Sequence, residues 1–299
     1  MGTVASPVRI QFRAMGTDCE VVIHGGPSHL DVLAESQVRD LDASWSRFRE
    51  DSELSQLNAR AGTGQVPAST TMRVLVRTMV SAWQLTEGLC DASVLDSIIG
   101  VGYDDDFDAV VARGETHETS KTVSPSPGLA GVEVGRDWVS LPSGVRLDSG
   151  GIGKGLGADL VAGRLMAAGA TGCLVNLGGD VVFSGSTIDE TPWTAVVDDS
   201  RNPGAAPILG FELNGGGAVA TSSTLKRTWG SKHHIIDPRT GDSSDTDVCQ
   251  ATVVTNTGWW AEATATAALL LGSEKGSAWL AEHDVRGLLI TTDGTLVEV

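Results

Sequence analysis

The chain has 299 residues, 41% of them hydrophobic and 20% charged, with a formal charge of −17. That length and composition suit a globular protein with a full core, and the acidic balance excludes general attraction to DNA, RNA or an anionic membrane. A polyanionic small molecule could be held only with local help from a cation or a metal ion.

The first 20 residues contain neither an apolar signal core nor a lipid-attachment Cys, and no run of about 18 apolar residues occurs later. A cytoplasmic location without membrane insertion is the expectation. Residues 8–23 predict paired strands around Met15-Gly16-Thr17. Pro27-Ser28 predicts a helix start with Ser28 as N-cap, and Leu30, Leu33, Ala34, Val38, Leu41 and Trp45 form one apolar stripe at helical spacing. A second helix is predicted from Thr70, with Met72, Leu75, Val76, Met79 and Trp83 on one face and Gly88 as its stop. Residues 103–130 turn acidic and rich in Ser, Thr and Pro, and read as a surface connection without chemistry.

Strand patterns return at 132–141 and 145–147, and a Gly-rich turn opens a helix over 154–168 that Gly169 ends. Further strands are predicted at 173–183, 193–197, 218–221 and 248–255, helices at 259–271 and 273–283, and a closing hairpin over 288–299 about Asp293-Gly294. Helices and hairpins alternate without a βαβ rhythm, which predicts an α+β fold with mixed, largely antiparallel sheets and packed helices. Cys19, Cys90, Cys173 and Cys249 lie far apart without a CxxC pair, so buried thiols are expected rather than zinc ligands.

Three segments have the makings of chemistry. Asp148-Ser149-Gly150-Gly151-Ile152-Gly153-Lys154-Gly155-Leu156-Gly157 places glycines and a lysine at a helix start, where backbone amides and the helix dipole favour anions. Its spacing fits neither a P-loop nor a dinucleotide GxGxxG, and a tight strand-to-helix turn explains the same glycines. His233-His234-Ile235-Ile236-Asp237-Pro238-Arg239-Thr240-Gly241 combines turn chemistry, with Asp237 capping its own turn, and a histidine able to act as a base near neutral pH. Glu262 and Thr266, four residues apart on an Ala-rich helix, share a face and offer oxygen ligands suited to Mg²⁺; a solvated glutamate on a packing helix is the plainer alternative. Among smaller features, Asn176-Leu177-Gly178-Gly179-Asp180 reads as a bulge or a close ligand approach. Phe48 could stack on a ring or pack in the core, and Cys90-Asp91-Ala92 could present backbone groups to a ligand or form a plain loop.

The order of these segments, together with Trp45-Ser46-Arg47-Phe48, Ser52 to Asn58, and Thr221-Ser222-Ser223 with Arg227, resembles the ApbE family of FAD:protein FMN transferases from about residue 12 to 272. The resemblance implies a single ApbE-like domain over 1–299, with two subdomains and the FAD site between them. It implies that Met15, Phe48, Cys90, Asp91, Ala92, Asp148, Lys154 and Ile236 line the FAD site. It further implies that the Gly151 carbonyl, Glu262 and Thr266 hold Mg²⁺ and that His234 takes the proton from a threonine of an acceptor protein. Four positions depart from the family pattern: Glu262 stands for the usual Asp, Ala265 for a common Ser, Ser223 for a Gly, and Leu225 for a frequent aromatic residue. The implied reaction moves FMN from FAD to the threonine hydroxyl and releases AMP. Water as the attacker would give an FAD pyrophosphatase, and a flavin carrier without chemistry is the alternative from another class.

Overall fold

The computed structural model describes residues 6–113, 124–187 and 189–299. A hairpin of β1 (Val8–Ala14) and β2 (Thr17–His24) precedes α1 (Leu30–Trp45), α2 (Glu53–Ala59), β3 (Val66–Pro67) and α3 (Thr70–Leu85). A 3-10 turn at Ala92–Val94 leads into α4 (Leu95–Gly100) and α5 (Phe107–Arg113), and β4 (Glu133–Val134) and β5 (Trp138–Ser140) follow. Next come α6 (Gly153–Ala167), β6 (Gly172–Leu177), β7 (Asp180–Gly185), β8 (Trp193–Val197), β9 (Leu209–Leu213) and β10 (Gly216–Ser223). Two short hairpins, β11 (Thr228–Trp229) with β12 (Lys232–His233) and β13 (Ile236–Asp237) with β14 (Asp242–Ser243), lead to β15 (Val248–Thr255). The chain closes with α7 (Gly258–Glu282), β16 (Arg286–Thr291) and β17 (Leu296–Glu298).

Among the described residues the main sheet runs β1-β2-β6-β7-β10-β15-β16-β17, and each neighbouring pair is antiparallel. The period-2 pattern of its strands divides two cores. Val175, Val182, Ala218, Ala220, Ala251 and Val253 face α1, α6 and α7, whereas Phe183, Val219, Val254 and Leu288 face the β8–β9 hairpin. A further core packs α2, α3 and β5 against the start of α6 and the end of α1 through Trp45, Leu54, Leu75, Met79, Val139, Leu147 and Leu156. Helices α6 and α7 therefore stand between two hydrophobic bodies, and their first turns define the place where these meet. The α+β expectation holds, and all four cysteines are buried free thiols. Among the described residues no helix is long and apolar enough to cross a membrane.

Several local expectations need correction. Ser28 does not cap α1: His29 occupies the N-cap position, and no side chain there bonds to the helix. Residues 145–147 are not a strand; they form an extended link whose Leu147 amide and carbonyl bond to the Asn58 side chain instead of a neighbouring strand. The stretch 173–183 is a hairpin, because Gly178 and Gly179 have φ of 70° and 100° and turn the chain in two residues. Within 103–130, Tyr103 and Val110 are buried beside Leu95, Ile98, Val101 and Ile236, so part of that segment belongs to a packed satellite; residues 114–123 lie outside the described residues. The break between the two predicted C-terminal helices is real, since Gly272 interrupts α7 with φ of 80°.

Candidate active site

The Gly-rich segment delivers Lys154 into the first turn of α6, where its ammonium lies between two carboxylates. It donates to Glu262 Oε1 from α7 and to Asp180 Oδ2 from the start of β7. The two acids are nearly sealed from solvent, with exposures of 3% for Glu262 and 2% for Asp180. Burial works against the charged amine, yet Asp180 and Glu262 outweigh it and hold Lys154 well above its ordinary value. Burial likewise holds Glu262 above the usual carboxylate range, against the pull of Lys154 and with repulsion from Asp180 added. The cluster sets two acids against one ammonium, and because burial favours the protonated form of Glu262, a cation bound there would have to displace a proton.

Glu262 is further held by the Gly155 amide, which donates to Oε2 at 2.8 Å. Thr266, one turn along α7, shares a 2.9 Å hydroxyl contact with Ser222 at the end of β10. The Gly151 carbonyl faces the Cys90 thiol at 3.8 Å. Burial, reinforced by the nearby Glu262, pushes that thiol far up, so it is no nucleophile at neutral pH. Carboxylate, carbonyl and hydroxyl oxygens are the donors a hard cation accepts, and a site with one carboxylate leaves room for water and substrate phosphates, as Mg²⁺ prefers. Among the described residues no three side chains of His, Cys, Asp and Glu gather into a metal cluster. A donor set here must draw on such mixed oxygens, and Gly151, Glu262 and Thr266 fit that requirement.

The turn before α6 is anchored to the 88–94 loop. The Asp148 amide donates to the Ala92 carbonyl at 2.7 Å, and Asp91 accepts the Ser93 amide at 2.8 Å. Asp148 also pairs with Arg47 Nε at 3.4 Å. The Arg47 guanidinium lies 4.0 Å from the Phe48 ring centre and 4.6 Å from that of Tyr103, which leaves Phe48 as a 37% exposed ring beside the turn. On the other side, Met15 adopts φ of 52° at the β1–β2 turn and reaches Gly157 of α6.

His234 sits between the two short hairpins. Burial pushes its imidazole down to about 3, with Arg227, Lys154 and His233 adding repulsion, so the ring is neutral at physiological pH. Its Nδ1 atom is buried without a hydrogen-bond partner among the described residues. Asp237 caps its own turn as expected, accepting the Arg239 amide at 2.9 Å while its carbonyl accepts that of Gly241 at 2.8 Å.

The ApbE family model matches residues 15–289. The chain belongs to the ApbE family. It is 27% identical over 277 residues to the FAD:protein FMN transferase of Vibrio cholerae, covering 86% of this chain and 78% of that protein. It is 28% identical over 279 residues to the protein of the same name from Treponema pallidum, covering 87% and 75%. The solved ApbE protein of Thermotoga maritima shares the fold with a TM-score of 0.82 at 22% identity, over 98% of this chain and 97% of that one.

Within this ApbE chain, the residues singled out in the sequence fall into two groups. Cys90, Ala92, Asp148, Gly151, Lys154 and Glu262 are linked by contacts around the α6 start and the α7 face, with Thr266 one turn beyond Glu262 on α7 and His234 close enough to feel the Lys154 charge. Ile236 instead has its side chain buried with Leu95, Ile98 and Tyr103, next to the patch that Phe48 joins through Tyr103. Sequence reasoning read Asp180 within a segment that is a bulge or a close ligand approach, without giving its side chain a role, and did not select Arg47 or Ser222 as site residues. Asp180 carried one usable signal: an acid immediately after Gly178-Gly179 is placed by the hairpin turn at the head of a strand.

Proposed function

We propose that this ApbE protein transfers FMN from FAD to a threonine hydroxyl of an acceptor protein and releases AMP, acting as one domain with FAD between its two hydrophobic bodies. The observation that carries the reading is the buried cluster of Lys154, Asp180 and Glu262, whose carboxylate oxygens suit a divalent cation at the mouth of a glycine turn. The names of the curated relatives support the same reaction class.

In this reading the Gly151 carbonyl, Glu262 and Thr266 would hold Mg²⁺, which when bound neutralises charge on the diphosphate and on the departing AMP. Lys154 contributes a fixed positive charge beside that diphosphate, where a preformed dipole or ion needs no reorganisation during reaction. Exposed Phe48 offers a face for an aromatic ring of FAD, and Met15, Cys90, Asp91, Ala92, Asp148 and Ile236 shape the surrounding wall. The acceptor hydroxyl attacks the phosphorus on the FMN side. A new phosphoester bond forms, the bond to the bridging oxygen breaks, and the hydroxyl proton passes to neutral His234. Most of the acceleration comes from holding these groups in line.

The test combines FAD, Mg²⁺ and a threonine-bearing acceptor, and follows both protein-bound flavin and free AMP. Lys154→Ala and Glu262→Gln should each slow transfer by about 100-fold or more. Transfer at the wild-type rate in both variants would overturn the site. AMP and free FMN without protein-bound flavin would make water the attacker.

A further inference from the structure

Neither helix of the site supplies its own N-terminal cap. Ile152 and Thr257 hold the N-cap positions of α6 and α7, and neither side chain bonds to its helix. Helix first turns leave amides that must find partners, and here Gly155, Gly258 and Trp259 find theirs across the interface. Asp159, on the second turn of α6, accepts the Gly258 amide at 2.7 Å and the Trp259 amide at 3.0 Å. Glu262, on the second turn of α7, accepts the Gly155 amide at 2.8 Å. The helices exchange caps, each carboxylate lying at the positive end of the other's dipole.

The exchange demands close backbones, and the glycines permit it. A Cβ on Gly155 would stand 2.2 Å from the Gly258 carbonyl oxygen, and one on Gly258 would stand 2.4 Å from that of Gly155. With the backbones in contact, the start of α7 has little freedom to slide along α6. Glu262 and Thr266 follow Gly258 on the same rigid helix, so any slide would pass to both.

We infer that Asp159 is a positioning residue for the divalent-cation site: by clamping the start of α7 to α6 it fixes Glu262 and Thr266 relative to Lys154 and the Gly151 carbonyl. Its two oxygens bond backbone amides of α7, so it acts through the helix rather than on the reacting groups. The inference rests on the reading of Glu262 and Thr266 as cation ligands.

The test uses the full chain with Asp159→Ala and the near-isosteric Asp159→Asn. Two quantities are read: Mn²⁺ affinity in the presence of FAD, from the electron paramagnetic resonance signal of free Mn²⁺, and hydrogen exchange of the Gly155 amide without metal. Asp159→Ala should weaken Mn²⁺ binding about tenfold. Asp159→Asn should weaken it less, because its carbonyl oxygen still accepts one amide. Both should speed exchange at Gly155 while the amides of β6 stay protected. Lower thermal stability with unchanged Mn²⁺ affinity and unchanged Gly155 exchange would overturn the clamp, as would failure of both variants to fold. If the wild-type chain takes up no Mn²⁺, the cation reading fails separately. Gly155 exchange then decides the clamp, faster exchange upholding it for Glu262 alone and unchanged exchange overturning it.

Discussion

Single residues in this site are defined by what surrounds them more than by their type. A neutral imidazole at His234 is a base that is ready at any physiological pH, and a diphosphate brought beside it would raise its affinity for a proton. His234→Ala should therefore lower flavin transfer by about 10²- to 10⁴-fold. In the ligand-free protein, the ring should show no titration by NMR between pH 5 and 8; a midpoint near 6.5 would contradict the burial argument. The same burial links His234 to stability. Its folded value of about 3 lies below the ordinary 6.5, so the unfolded chain gains a proton first as pH falls. The His234 contribution is complete above pH 6.5 and is lost progressively as pH drops toward 3. Urea titrations of wild type and His234→Asn should converge across that window.

At the scale of elements, the crossing of α6 and α7 sets the site, and its tolerance for added atoms is small. A methyl group at position 155 has no room against the Gly258 carbonyl, and Gly258 is also hemmed in by Val182 at 2.7 Å. Gly155→Ala should destabilise the protein by about 1–3 kcal/mol through overpacking, despite the better helix propensity of alanine, and chemical denaturation would measure it. An unchanged or raised midpoint would mean that the helices can part without cost. Much of this arrangement was legible beforehand. The periodicity of Met72, Leu75, Val76 and Met79 placed α3, and Gly169 and Gly272 marked real helix ends. The 173–183 hairpin was missed because apolar content runs through both strands, and only the conformational freedom of Gly178-Gly179 breaks it. The cap of α1 was misplaced because Ser28 matches the local rule while the chain starts its helix after His29.

For the molecule as a whole, α6 and α7 belong to both bodies: Ala158, Leu165 and Leu269 serve the sheet core, and Leu156 and Ala263 serve the α2–α3 core. Shared helices couple the two. Met79→Ala, buried in the α3 body, should cost about 2–5 kcal/mol, and far-ultraviolet circular dichroism and tryptophan fluorescence should follow one common transition. Separate transitions would show that the bodies unfold independently. The amino-acid order by itself determined the α+β class, the Gly-rich turn, the shared face of Glu262 and Thr266, and the self-capped turn at Asp237, since each depends on contacts or periodicities within a few residues. Only the tertiary structure decided that Asp180 grips Lys154, that Arg47 lies against Tyr103, and that α6 and α7 cap one another. These pairs stand 26, 56 and about 100 residues apart, and no local pattern encodes which buried charge will meet which. Desolvation makes an unpaired charge costly, so the fold must bring partners together, and their identity emerges only once the sheet and helices have fixed where each side chain ends.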